Sequence, residues 1–173
     1  MKMTLKDLAH TALCSAILCV IAPFSLTAGA NLVPISLATF CVMLFGLLFG
    51  WAKAVTATAV YLALGAVGLP VFAKGAGGIA VLAGPTGGYL IGYLFLAFFS
   101  GVFVHRKFWM QLLMVLAGTV ILYAFGTAWF MIQQKAALVP SLLSCVVPFL
   151  PGDAAKIAGA FALQHVFRKR KLT

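Results

Sequence analysis

The sequence predicts an all-α membrane protein: six transmembrane helices in one integral membrane domain, residues 1–173, with both termini cytoplasmic. Three observations carry this expectation. Hydrophobic residues make up 64% of the chain and charged residues 8%, with a mean hydropathy of +1.15, whereas a soluble domain carries about a quarter charged residues. Apolar runs of helical length recur along the whole chain, divided by Pro and Gly. Basic residues gather at one set of run ends. With six helices, nine of the twelve Lys/Arg fall on the side of the termini: Lys2, Lys6, Lys53, Arg106, Lys107 and Arg168-Lys169-Arg170-Lys171. Lys74 and Lys135 fall opposite, and Lys156 is internal. The positive-inside rule makes that side cytoplasmic. The net charge of +10 therefore anchors the chain against anionic lipid, and nucleic acid is not an expected partner.

The first helix is expected over Leu5 to Ile21, where Pro23 and Gly29 break it. No small-residue cleavage site interrupts this run, so no cleavable signal peptide is expected. Ala9, Ala12, Ser15, Ala16 and Cys19 form a stripe of small side chains that lets another helix approach closely. Packing within this chain and docking to a separate protein both fit that stripe. The loop Pro23–Pro34 carries Asn31, a lone amide beside an apolar surface. A second helix is expected over Ile35 to Gly50, followed by Trp51 and Lys53 as interface markers, and a third over Ala54 to Leu69.

Val71–Gly84 is rich in glycine yet largely apolar, unlike a solvated linker. Such backbone at membrane depth has to be covered by protein or to line a cavity. The fourth helix is expected over Pro85 to Val104, with Pro85 in its first position. Gly84, Gly88 and Gly92 form a ladder on it that admits a second helix or a ligand. The fifth helix is expected over Phe108 to Ile132, and Gln133–Pro151 as a re-entrant or interfacial connection. The last helix, Gly152 to Phe167, is read as about 16 residues or ~24 Å, short of the roughly 30 Å hydrocarbon core. Its start would then lie below the surface.

That start holds the sharpest feature. Asp7 and Asp153 are the only acidic residues, and Asp153 stands in an apolar stretch with Lys156 one helical turn on. Each charge costs roughly 2.5–3.5 kcal/mol at the centre of a membrane helix, so an ionisable residue there is a functional candidate by default. A self-neutralising structural pair is one reading. The other is a ligand site, in which Lys156 meets a carboxylate and Asp153 accepts from N–H groups. Tyr61, Tyr89, Tyr93, Tyr123 and Trp129 are candidate pocket aromatics.

Other chemistries lack their residues. Cys14, Cys19, Cys41 and Cys145 show no CxxC spacing, and His10, His105 and His165 are far apart, so no metal site or cofactor is expected. No Walker A, HExxH or GxSxG motif occurs. Catalysis is not expected, and any nucleotide hydrolysis belongs to another subunit.

The segments Gly68-Leu69-Pro70-Val71-Phe72-Ala73, Gly77-Gly78, Gly84-Pro85-Thr86-Gly87-Gly88-Tyr89-Leu90 and Pro148-Phe149-Leu150-Pro151-Gly152-Asp153 with Lys156 resemble the BioY family. These are the biotin-specific S components of energy-coupling factor (ECF) transporters. Val33-Pro34-Ile35-Ser36-Leu37 and Gly118-Thr119, Tyr123, Gly126 and Trp129 fit more loosely. The resemblance implies a six-helix S-component bundle in a prokaryotic cell membrane that binds biotin from outside. It also implies partners: a transmembrane coupling subunit and two ABC ATPases, whose ATP hydrolysis drives uptake while the S component tilts. Asp153, Lys156, Gly84, Thr86, Gly87, Gly88, Tyr89, Phe72, Tyr123, Trp129 and Asn31 are the implied substrate contacts, and Ala9, Ala12 and Ala16 the implied docking stripe. Ala38 departs from the pattern, because many relatives carry glutamine there. Biotin's carboxylate, ureido N–H groups and apolar ring match Lys156, Asp153 and an aromatic pocket, with Lys156 the expected carboxylate partner. Another small carboxylated vitamin such as lipoate, a self-contained ion or proton channel using Asp153, and a structural subunit without ligand are the competing expectations.

Overall fold

A computed structural model describes residues 4–26 and 35–170. Helices account for most of it. They are α1 (Leu5–Ile21), α2 (Ala38–Phe49), α3 (Trp51–Ala66), α4 (Ile79–Ala83), α5 (Gly87–Val102), α6 (Phe108–Gln134), α7 (Leu138–Cys145) and α8 (Leu150–Lys169). A two-residue antiparallel ladder, β1 (Ser25–Leu26) with β2 (Ile35–Ser36), joins α1 to α2.

The first helix runs over the expected residues. Thr4 and Asp7 close a reciprocal capping box at its start: the Asp7 N–H donates to Thr4 Oγ1 (3.2 Å) and the Thr4 N–H to the Asp7 carboxylate (3.1 Å). Asp7 also pairs with Lys53 on α3 at 2.7 Å. The second helix starts three residues later than expected, because Ile35 and Ser36 are held in the ladder and Ser36 Oγ accepts from the Ala38 N–H (3.0 Å). The third starts three residues earlier. Gly50 alone ends α2 and begins α3, at φ +84°, where a residue with a Cβ is strained. Trp51 and Lys53 therefore lie in the first turn of α3, not in a loop.

Nearly every residue from Ala38 to Leu47 is buried, which makes α2 the central helix, packed against α1, α3, α5 and α8. An all-round apolar helix of this kind belongs inside a bundle. Glycines bring α5 close to its neighbours: a Cβ at Gly92 would meet the Leu122 side chain at 2.6 Å, and one at Gly88 would meet Trp129 at 2.3 Å. These two rungs of the glycine ladder thus serve α5–α6 packing. Gly84 is not on that helix, and neither is Pro85, since α5 begins at Gly87 after Thr86.

Two further boundaries differ from expectation. The connection after α6 contains the helix α7, and α6 itself extends to Gln134. The last helix has 20 residues, not about 16, because Pro151 and Gly152 are part of its first turn. Proline is tolerated there, where its missing N–H has no helical acceptor anyway. Asp153 near its start is therefore buried by what packs on that one face, and shortness of the helix is not the reason. Among the described residues α6, with 27, is the one helix long and apolar enough to cross a membrane alone; α7 and α8, bent by 45° at their junction, qualify as a pair.

Opposite the acidic pair, a buried amide network ties four elements together. Gln164 Nε2 donates to the Leu47 carbonyl (2.9 Å) and to Gln111 Oε1 (2.9 Å), while Gln111 Nε2 donates to the carbonyls of Val104 (3.0 Å) and Arg106 (2.8 Å). Gln164→Leu keeps the size but strands Gln111 Oε1 and the Leu47 carbonyl. The expected result is a loss of about 1–3 kcal/mol, read as a lower thermal midpoint in detergent; an unchanged midpoint would mean that water already satisfies these groups.

Candidate functional site

Asp153 and Lys156 share one face of α8, one turn apart, as i and i+3 side chains do. Lys156 Nζ lies 2.8 Å from Asp153 Oδ1, 2.8 Å from the Ser36 carbonyl and 2.9 Å from Thr39 Oγ1. Its three protons therefore all have acceptors. Asp153 Oδ2 accepts from the Tyr123 hydroxyl of α6. Asp153 is 4% exposed, and the side chain of Lys156 is 10% exposed. A pair this deep persists only when hydrogen bonds replace its lost hydration. Here β2, the start of α2 and the middle of α6 supply them.

The pair bounds one cavity, and a second adjoins that one. The inner one, about 30 Å³, is bounded by Asp153, Lys156, Thr39, Tyr123 and Phe149. The outer one, about 210 Å³, is bounded by Phe72, Lys74, Val81, Thr86 and Leu90. Ser36, Tyr89 and Tyr93 line both, so they form the partition. The outer cavity exceeds the roughly 150 Å³ that holds a benzene ring in an engineered core. One side of it comes from the glycine-rich stretch between α3 and α5 and the other from Ser36 and α5, so that stretch lines a cavity as its composition requires. The shape is an apolar chamber ending in charge, the usual arrangement of a small-molecule site.

The partition is firmly held. Tyr89 donates its hydroxyl to the Cys145 carbonyl (3.3 Å) and shares a hydrogen bond with Thr127 Oγ1 (3.0 Å). Its ring packs on Gly126, where a Cβ would fall 2.4 Å from the ring. Phe72 is held edge-on against Tyr61, with ring centroids 5.6 Å apart. A third cavity of about 460 Å³ lies between α6, α7 and the start of α8. It is apolar apart from the Tyr123 and Thr127 hydroxyls, both already bonded to Asp153 and Tyr89.

Of the sequence-expected contacts, Asp153, Lys156, Tyr123, Tyr89, Thr86 and Phe72 line these two cavities. Gly87 and Gly88 do not; Gly87 packs on the Leu82 backbone and Gly88 on Trp129. Trp129 also stands outside, donating its indole N–H to the Gly84 carbonyl (2.9 Å) and so strapping the loop before α5 to α6. Tyr61 supports Phe72 from behind. Asn31 lies outside the described residues. Ser36, Thr39, Lys74 and Phe149 line the cavities without having been singled out as contacts. Ser36 and Phe149 fall in family-like segments, whereas Thr39 and Lys74 give no local signal.

On α1 the stripe of small residues divides. Ser15 is buried in the bundle, while Ala9, Ala12 and Ala16 are exposed beside Leu8 and Leu13. Among the described residues these alanines therefore leave a small-residue surface uncovered.

The sequence matches the BioY family over residues 1–172. It is 36% identical over 139 residues to the biotin transporter BioY of Rhodobacter capsulatus, covering 72% of this chain and 73% of that one. With the biotin transporter BioY of Rhizobium etli the identity is 33% over 177 residues, covering 93% and 92%. The fold superposes on a solved structure described as the crystal structure at 2.1 Å of the S-component for biotin from an ECF-type ABC transporter. The TM-score is 0.87 at 31% identity, covering 97% of this chain and 95% of that one.

Proposed function

This chain belongs to the BioY family, and from that premise we propose that it is the biotin-specific S component of an ECF-type importer. It captures biotin from outside the cell for ATP-driven uptake by partner subunits. The observation that carries the reading is an apolar, aromatic-walled chamber ending at a buried Asp153–Lys156 pair. Biotin supplies the complement: a fused apolar ring for the chamber and paired ureido N–H donors for the carboxylate. Lipoate has an apolar ring and an acid but no N–H donor, so it would leave Asp153 unanswered. That difference favours biotin within the class of small carboxylated vitamins.

Six spans with cytoplasmic termini accommodate the six longest of the described helices, α1, α2, α3, α5, α6 and α8. Support comes from the charges, since Lys53, Arg106, Lys107 and Arg168 to Arg170 then share one side. The protein is a transport subunit, not an enzyme, and sits as a multi-pass protein in a prokaryotic cell membrane. Its partners are a transmembrane coupling subunit and two ABC ATPases, and the exposed Ala9, Ala12 and Ala16 are where the coupling subunit docks. Small side chains at such a surface let the partner's helix backbone come close, where dispersion contacts accumulate in lipid.

Equilibrium binding of labelled biotin to the purified, folded chain tests the reading, with lipoate as competitor. Saturable biotin binding that lipoate fails to displace is expected, and its absence sinks the proposal. A channel would instead give pH-dependent conductance from this chain alone in a planar bilayer. The docking assignment has its own test. Ala12→Trp should leave biotin affinity unchanged but lose co-purification with the coupling subunit and biotin uptake in cells; normal uptake would move the interface elsewhere.

A further inference from the structure

Resting on biotin as the ligand, we propose that Lys74 receives its carboxylate and makes the site select the free acid over amides and esters. The ureido end then lies toward Asp153. Lys156 was the expected carboxylate partner, but its three protons are placed on Asp153, Ser36 and Thr39. A second carboxylate brought to the inner cavity would also confront Asp153, and like charges in a low-dielectric site repel strongly. What the inner end retains is acceptor capacity. An ionised carboxylate offers about four lone-pair sites, and Asp153 uses one for Lys156 and one for Tyr123. The remainder suits the paired ureido N–H groups.

The outer cavity has the opposite surplus. Among the described residues Lys74 is the one charged residue in its lining, and its ammonium makes no hydrogen bond or ion pair with any of them. Its backbone is unusual as well. Lys74 sits at φ 59°, ψ 24°, a left-handed conformation that glycine adopts freely and lysine does not. Glycines at 75, 77 and 78 show that this stretch otherwise uses glycine freely. The turn is nevertheless fixed, by the Lys74 N–H on the Pro23 carbonyl (3.1 Å), the Gly75 N–H on that of Phe72 (3.0 Å) and the Phe72 N–H on that of Ala76 (2.9 Å). A strained residue held this firmly at a cavity wall points to a side-chain function. One ammonium at the outer wall and spare carboxylate lone pairs at the inner end orient a ligand that is acidic at one end and N–H-bearing at the other.

The test compares biotin with biotin amide, the same molecule without the charge, by titration of the purified full-length chain. Wild type is expected to prefer the acid by roughly tenfold to a hundredfold, the range of a charge-assisted hydrogen bond. In Lys74→Gly and Lys74→Gln the preference should collapse, with the acid bound about as weakly as the amide. Lys74→Arg should restore it. Lys74→Gly also releases the left-handed strain, so its thermal midpoint should be kept or raised. Lys156→Met should weaken acid and amide by the same factor. A preference that survives in both Lys74 variants, or disappears in Lys156→Met alone, overturns the assignment. Biotin binding without preference over the amide overturns it while leaving the biotin reading intact; no biotin binding by wild type removes both.

Discussion

Replacing Asp153 by asparagine is expected to weaken biotin binding by at least about a hundredfold, the largest effect of any single change in the site. The carboxylate holds Lys156 and Tyr123 directly and, in the proposed orientation, is the acceptor for the ureido N–H groups. Charge-assisted hydrogen bonds contribute about 1.5–3 kcal/mol each, so losing more than one accounts for that factor. The substitution also leaves the Lys156 ammonium buried without its counter-charge. Breaking a buried pair from one side costs about 3–5 kcal/mol, so the thermal midpoint should fall in parallel. Asp153→Asn combined with Lys156→Met separates the two effects. The double variant should regain most of the stability, because neither charge is stranded, and none of the affinity. If it regains affinity as well, the pair is a structural device and the ligand binds elsewhere.

Gly126→Ala should produce the second large effect, through a single methyl group that touches no ligand. The added Cβ would lie 2.4–2.6 Å from three atoms of the Tyr89 ring, closer than a Cβ can come without movement. That ring cannot swing aside without giving up its bonds to Thr127 and Cys145. Overpacking of this kind costs about 1–3 kcal/mol, and displacing the partition should lower biotin affinity roughly tenfold or more. Gly126→Ala with Tyr89→Leu should recover the thermal midpoint but not the affinity, because the clash is relieved while the partition is lost. Recovery of both would mean that Tyr89 does not shape the site.

The acidic pair was legible from composition alone. One carboxylate and one ammonium in an apolar run are conspicuous in lipid, and their spacing fixes a shared helix face whatever the rest of the chain does. The span of α1 was legible too, because its apolar run and Pro23 beyond its end are local signals. The start of α8 was harder. Pro151-Gly152 reads as a break, yet proline is compatible with a first turn, and only the packing of the preceding segment shows that the turn is made.

Other features carried no sequence signal because their causes are distant in the chain. Lys156 finds Ser36 and Thr39 across 120 and 117 residues, and no spacing rule connects them. Asp7 meets Lys53 only because α1 packs on α3. Trp129 looked like a pocket aromatic, and its indole turned out to strap the Gly84 carbonyl instead. Thr39 and Lys74 look like an ordinary helix residue and an ordinary loop cation until the cavities beside them are known.

By itself the sequence determined that the chain is an apolar helical bundle, that its clearest family-like segments are four, and that Asp153 and Lys156 need partners. Those conclusions rest on hydropathy, local breakers and the cost of charge in an apolar medium, which act residue by residue. Tertiary structure alone decided which groups satisfy the pair, which aromatics face the cavities, and that Lys156 is saturated while Lys74 stands at the outer wall. Hydrogen-bond saturation depends on atoms brought within about 3 Å by helices far apart in sequence.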